Sequence, residues 1–132
     1  MHGLTRSLLM LAALLPNALE AQQVQFPDTP QGRLVAGFFA AVNAPDEEAL
    51  LRFQEANFSE AALRRRSPEQ RMAYNRQLRE DAGTLTPLQV ASASASQIVV
   101  TARGSNLPPG MTLTLTFVFT GSPPKIDRLE VR

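Results

Sequence analysis

The sequence predicts an α+β domain in which about three N-terminal helices pack on a curved antiparallel sheet of about four strands. Three observations carry that expectation. Two helix starts pair a capping side chain with a proline, at Asp28-Thr29-Pro30 and at Ser67-Pro68. The spacing of apolar residues changes from helical to alternating after Gly83, and Met111 to Thr120 (MTLTLTFVFT) alternates without interruption. Helices gathered in one half of a chain and strands in the other form a segregated layout, and the helices must cover the apolar face of the sheet.

The first helix starts at Pro30, where a missing N–H costs nothing. Leu34, Val35, Phe38, Phe39 and Val42 then share one stripe and Arg33 lies opposite. Asn43-Ala44-Pro45-Asp46 ends it. Asp46, Glu47 and Glu48 suit the positive end of a second helix dipole, with Ala49, Leu50 and Phe53 turned inward. A short turn is expected over Ser59 to Leu63. Ser67-Pro68-Glu69-Gln70 reads as a capping box opening a helix that Gly83 stops. Tyr74, Leu78 and Ala82 mark its inner face; Arg71 falls on that face, and Arg76 and Arg79 on the other.

Strands are expected at Leu88 to Ala95, weakened by alanine and serine, and at Gln97 to Arg103. The third is Met111 to Thr120, with Met111, Leu113, Leu115, Phe117 and Phe119 on one face and Thr112, Thr114, Thr116 and Val118 on the other. Gly121-Ser122-Pro123-Pro124 turns the chain into a last strand, Lys125 to Arg132. There Ile126, Leu129 and Val131 break alternation and predict a bulge near Asp127-Arg128.

The N-terminus has a separate logic. Arg6, the apolar run Ser7 to Leu15, Pro16 and a polar stretch to Ala21 follow the three-part layout of a secretory signal. The apolar run is about half the ~20 residues that span a bilayer, so no stable membrane anchor is expected. The division is therefore a signal peptide over 1–21, a polar leader over 22–28 and one domain over 29–132, exported to the periplasm or beyond after cleavage near Ala21. A formal charge of +1, with 44% hydrophobic and 19% charged residues, describes a globular chain and argues against a general nucleic-acid binder. The chain has no cysteine, so no disulfide is expected.

The opening Thr29-Pro30-Gln31-Gly32-Arg33, with Phe38-Phe39 and Asn43-Ala44-Pro45-Asp46, resembles the start of nuclear-transport-factor-2-like domains (the SnoaL-like or cystatin-like cone fold). The Ser67–Gly83 helix and the Ser122-Pro123-Pro124-Lys125-Ile126 closing strand look like the small domains found beside exported bacterial serine hydrolases and peptidases. The resemblance implies a pocket between sheet and helices used for ligands, for catalysis in some members, or for dimerisation. Its enzymes place an aspartate or histidine in that pocket.

Residue chemistry narrows the choice. The single histidine, His2, would leave with the signal. The exported chain then lacks the parts for a Ser-His-Asp triad, a cysteine–histidine pair or a nitrogen–sulfur zinc site. No glycine-rich phosphate loop is present, and no cofactor or metal is expected. A serine–lysine pair would need Ser122, in a surface turn, beside Lys125, the single lysine. Most carboxylates explain themselves as helix-start or surface groups; Asp127 alone lies on a strand beside the expected bulge, where an exposed edge carboxylate is the simplest reading. Arg64-Arg65-Arg66 reads as a solvated cluster with Glu60 and Glu69 nearby.

Arg71 is different, because a charge on an inward face needs a partner, water or a ligand. The bland reading is a stem lying over the core with its guanidinium in solvent. The candidate pocket is Arg71 and Tyr74, with Phe39 and Phe117 as apolar wall, although core packing is the first use for those two rings. The leading expectation is a non-catalytic domain for protein–protein association or a homodimer. A small-molecule binder or weak enzyme using that pocket, and an accessory subunit of a separately encoded hydrolase, are the alternatives.

Overall fold

Capping decides where the helices begin. In the computed structural model, which describes residues 24–132, the Thr29 hydroxyl accepts from the Gly32 amide at 3.0 Å and opens helix α1, Pro30–Val42. The expected signal peptide, 1–21, and the first two residues of the expected leader lie outside the described residues. Helix α2, Glu48–Asn57, starts where the Asp46 carboxylate accepts from the Glu48 amide at 2.9 Å. The expected turn after Ser59 is a short helix, α3, Glu60–Arg65, capped by the Ser59 hydroxyl through the Ala62 amide. The capping box at Ser67 and Gln70 is formed in both directions and opens α4, Pro68–Ala82. Gly83 ends α4 at φ 73°, a left-handed conformation that favours glycine.

Four strands follow, β1 Leu85–Ala93, β2 Gln97–Gly104, β3 Leu113–Thr120 and β4 Lys125–Val131, in one antiparallel sheet of order β1-β2-β3-β4. This is the α+β class the sequence predicts. Alternation places Ile98, Val100, Leu115 and Phe117 inward, with Ile98 opposite Phe117 and Val100 opposite Leu115. Onto this face α1 presses Val35, Phe38, Phe39 and Val42, and Phe38 meets Phe117 edge-on at 5.3 Å. On the opposite face Thr114, Thr116 and Val118 stay half-exposed. Met111, expected inward, precedes β3 and is 50% exposed. The bulge is where alternation broke: Val118 pairs with Arg128 and Phe119 with Ile126, leaving Asp127 as the extra residue. Among the described residues no helix is long and apolar enough to cross a membrane.

Three expectations need correction. The leader is not merely polar: Phe26 stacks on Phe39 at 5.8 Å, and a Cβ at Gly32 would overlap the Pro27 carbonyl. Glycine at 32 is thus a condition for the leader to lie across α1. Arg79, on the side of α4 away from Tyr74, is half-buried and donates to the Val42 and Ala44 carbonyls at 3.1 and 2.8 Å, closing the end of α1. Strand β1 begins at Leu85, three residues earlier than expected, because the Asn43 carboxamide acts as its partner. Asn43 donates to the Leu85 carbonyl at 2.7 Å and accepts from its amide at 2.8 Å, as a neighbouring strand would.

The variant Asn43→Asp keeps the acceptor, loses the donor and sets a charge against the Leu85 carbonyl. A loss of about 1–2 kcal/mol is expected, read as a lower urea midpoint with an unchanged slope. A wild-type midpoint would show that the bridge does not stabilise the fold.

Candidate functional site

The bulge at Asp127 and the short helix α3 depend on each other. Ser59 donates its amide to the Ile126 carbonyl at 2.9 Å and its hydroxyl to Asp127 Oδ1 at 2.7 Å. At the far end of α3, Arg65 donates to the Asp127 carbonyl and reaches Oδ2 at 3.5 Å. The bulge turns the Asp127 side chain toward α3, and its side chain is only 26% exposed. The expected exposed edge carboxylate is therefore a clasp between β4 and α3.

Helix α4 packs chiefly on α2, and between it and β4 lies a cavity of about 160 Å³. Its apolar wall includes Phe38, Leu50, Phe58, Leu78 and Leu129. Its polar floor is an amide pair: Gln54 and Asn75, 6% and 7% exposed, each donate to the other's carbonyl oxygen at 3.0 Å. Arg65, Arg66, Arg71 and Arg128 line it against a single carboxylate, Asp127.

Arg71 is 7% exposed. Its Nη1 donates to the Arg66 and Leu63 carbonyls, at 2.6 and 3.1 Å, which lie at the end of α3. Its Nε is buried with no partner, and no carboxylate pairs with it among the described residues. The guanidinium is thus inside, not snorkelled into solvent. Tyr74 lines the same cavity but is 46% exposed, with the Arg66 guanidinium 4.5 Å from its ring centre.

The structure therefore brings Arg71 and Tyr74 together and separates both from Phe39 and Phe117. Those two rings are 5% and 0% exposed and pack in the core, 6.4 Å apart. Phe38, one position along α1, is the ring that reaches the cavity. All three residues of the arginine run are exposed, as expected, but each has a different neighbour. Arg64 makes an exposed pair with Glu60 at 3.7 Å, Arg65 clasps Asp127 and Arg66 covers Tyr74. The sequence reasoning missed Gln54 and Asn75; their signal was a polar residue on the inward stripe of each of two neighbouring helices.

The Ser59 hydroxyl is the main reason that the Asp127 carboxyl titrates below its ordinary 3.8; partial burial opposes this and the Arg65 charge adds to it. Among the described residues no three His, Cys, Asp or Glu side chains are grouped to hold a metal ion. No family model matches the chain, and neither a curated protein nor a solved structure does.

Because the folded-state pKa of Asp127 is depressed, its stabilisation is complete above 3.8 and is lost as acid protonates the carboxylate. Asp127→Asn is expected to be less stable than wild type at neutral pH by up to about 1 kcal/mol, with the gap closing in acid. A gap that persists unchanged in acid would assign the effect to something other than the charge. Truncating one member of the amide pair, Gln54→Leu or Asn75→Leu, is expected to cost about 1–3 kcal/mol by orphaning the other. The double variant should recover much of that loss in the same denaturation experiment.

Proposed function

We propose that this domain binds a small organic anion in the cavity between α4 and β4. The observation that carries the reading is Arg71, a permanently charged side chain more than nine-tenths buried at the cavity wall without a carboxylate partner. A carboxylate or similar oxyanion supplies what that guanidinium lacks, and Arg66 adds positive charge at the rim. The apolar wall takes the body of such a molecule. Cavities of about 150 Å³ lined by apolar side chains accept a benzene-sized guest, which sets the scale for this one.

Binding fits the residues better than catalysis. An acid–base group works best with its pKa near the working pH, whereas Asp127, the carboxylate at the cavity, is committed to Ser59 and Arg65 and shifted the other way. The sheet–helix location is also where the cone-fold resemblance puts a ligand, and export follows if residues 1–21 are the signal they resemble. Association with a second copy or with a separately encoded hydrolase is a compatible role. Its natural surface is the half-exposed sheet face bearing Thr114, Thr116 and Val118.

Calorimetric titration with benzoate and with benzylamine, its cationic counterpart, tests the reading. Benzoate is expected to bind and benzylamine not to. Arg66→Ala should weaken benzoate a few-fold and Arg71→Met at least tenfold, with Arg71→Lys as the check that α3 stays in place. Equal affinity for both probes, or none for benzoate, overturns the proposal.

A further inference from the structure

The cavity does not end at Leu78. A second concavity of about 230 Å³ lies further along α4, and Tyr74, Leu78 and Val131 line both. On α4 the lining passes from Arg71 through Tyr74 and Leu78 to Ala82; on the sheet it passes from Asp127 through Val131 to Leu113 and the Leu107 loop. Both sides advance in the same direction, so the two spaces adjoin along α4 and the sheet edge, with Tyr74, Leu78 and Val131 common to both. From Arg71 to Ala82 the helix rises about 16 Å, far longer than a benzene-sized guest.

The two spaces together are electrically polar along that length. Arg65, Arg66, Arg71 and Arg128 outnumber Asp127 at one end, and the charged side chain lining the other end is Asp81, which accepts from Gln77 at 2.8 Å. Apart from Gln77 and Tyr74, the rest of the second lining is apolar, with Leu78, Val131, Leu113 and Leu107.

We infer that the ligand is a single-chain anionic amphiphile, with its oxyanion head at Arg71 and its alkyl tail running past Leu78 and Val131 toward Leu113. This rests on the anion reading of the first cavity and extends it. A short carboxylate satisfies Arg71 alone; a longer one also covers apolar surface at the second concavity, each methylene improving affinity about threefold to fourfold while it is buried. A dicarboxylate of the same length would set its second charge on apolar surface beside the exposed Asp81 and is disfavoured. A cationic amphiphile is excluded by the arginine end.

The test is a calorimetric series of butyrate, hexanoate, octanoate and decanoate, each below its micellar concentration, with decanedioate and decylammonium as controls. Affinity is expected to climb about threefold to fourfold per methylene through octanoate, and decanedioate to bind at least tenfold more weakly than decanoate. Leu113→Gln, or Leu107→Gln in the loop should the first variant fold poorly, is expected to flatten the climb and leave butyrate unchanged. Butyrate and benzoate binding with no gain from chain length overturns the tail assignment and leaves the anion site standing. Decylammonium binding as tightly as decanoate overturns the orientation. Failure of every carboxylate, benzoate included, removes both readings.

Discussion

Arg71 carries a guanidinium, and the fold puts it inside. Burying a guanidinium costs several kcal/mol unless its donors are met. Here two of them are met by main-chain carbonyls, those of Leu63 and Arg66. Carbonyls become available at the end of a helix because the last turn has no amide to satisfy them. Arg71 therefore needs α3 to end where it does. Helix α3, six residues long with none buried, is far below the length at which a helix persists alone, so it needs Arg71 in return. Ser59 and Asp127 supply the corresponding tie at its other end.

Leu129 and Val131 of β4 line the same cavity as Arg71, so bringing β4 onto α4 there would set apolar side chains against a guanidinium whose donors are not all met. The Gln54–Asn75 pair holds α4 to α2 with both amides largely satisfied by each other, fixing the helix at its distance from the sheet. Phe38 and Leu50 carry the apolar core to the cavity, and Phe38 meets the rings of Phe39, Phe53 and Phe117 on its other sides. One side of the domain is thus held by close-packed rings and the other by polar ties. Helix α3 supplies Ala62 and Arg65 to the cavity wall on that polar side.

What the sequence made legible follows the same division. Local signals were decisive: the Ser67 capping box, the glycine stop at 83, the alternation through Leu115, Phe117 and Phe119, and the broken alternation that marks Asp127 all lie within a few residues of the feature they define. Contacts between distant residues were not. Asn43 reads locally as a helix end, yet its carboxamide pairs with Leu85, 42 positions away. On α4 the expected inner face, Arg71, Tyr74, Leu78 and Ala82, differs from the buried one, Arg71, Asn75, Leu78 and Ala82, at a single position. A stripe half made of polar residues carries little hydrophobic signal, so the sequence named Arg71 and not its neighbour Asn75. Phe39 and Phe38 are adjacent and equally apolar; which one faces the cavity depends on Phe26 lying over Phe39, and the leader showed no periodicity from which to expect that.

The net charge of the chain is +1, so the positive character of the cavity is a matter of local arrangement. Arg33, Arg52, Arg64 and Arg76 each have a carboxylate within 4 Å at the surface, where such pairs contribute little but cancel the local field. Arg66 has the ring of Tyr74 and Arg71 has carbonyls, neither of which removes a positive charge. Both line the same concave surface, which is also apolar along one wall. Concave low-dielectric walls concentrate the field of the charges they hold, so the charge of Arg66 and Arg71 is focused where there is space to receive an anion. Arg79 and Lys125, elsewhere, are likewise met by main-chain carbonyls and not by carboxylates; what distinguishes Arg66 and Arg71 is that both line one concave, partly apolar surface, where geometry can select a ligand.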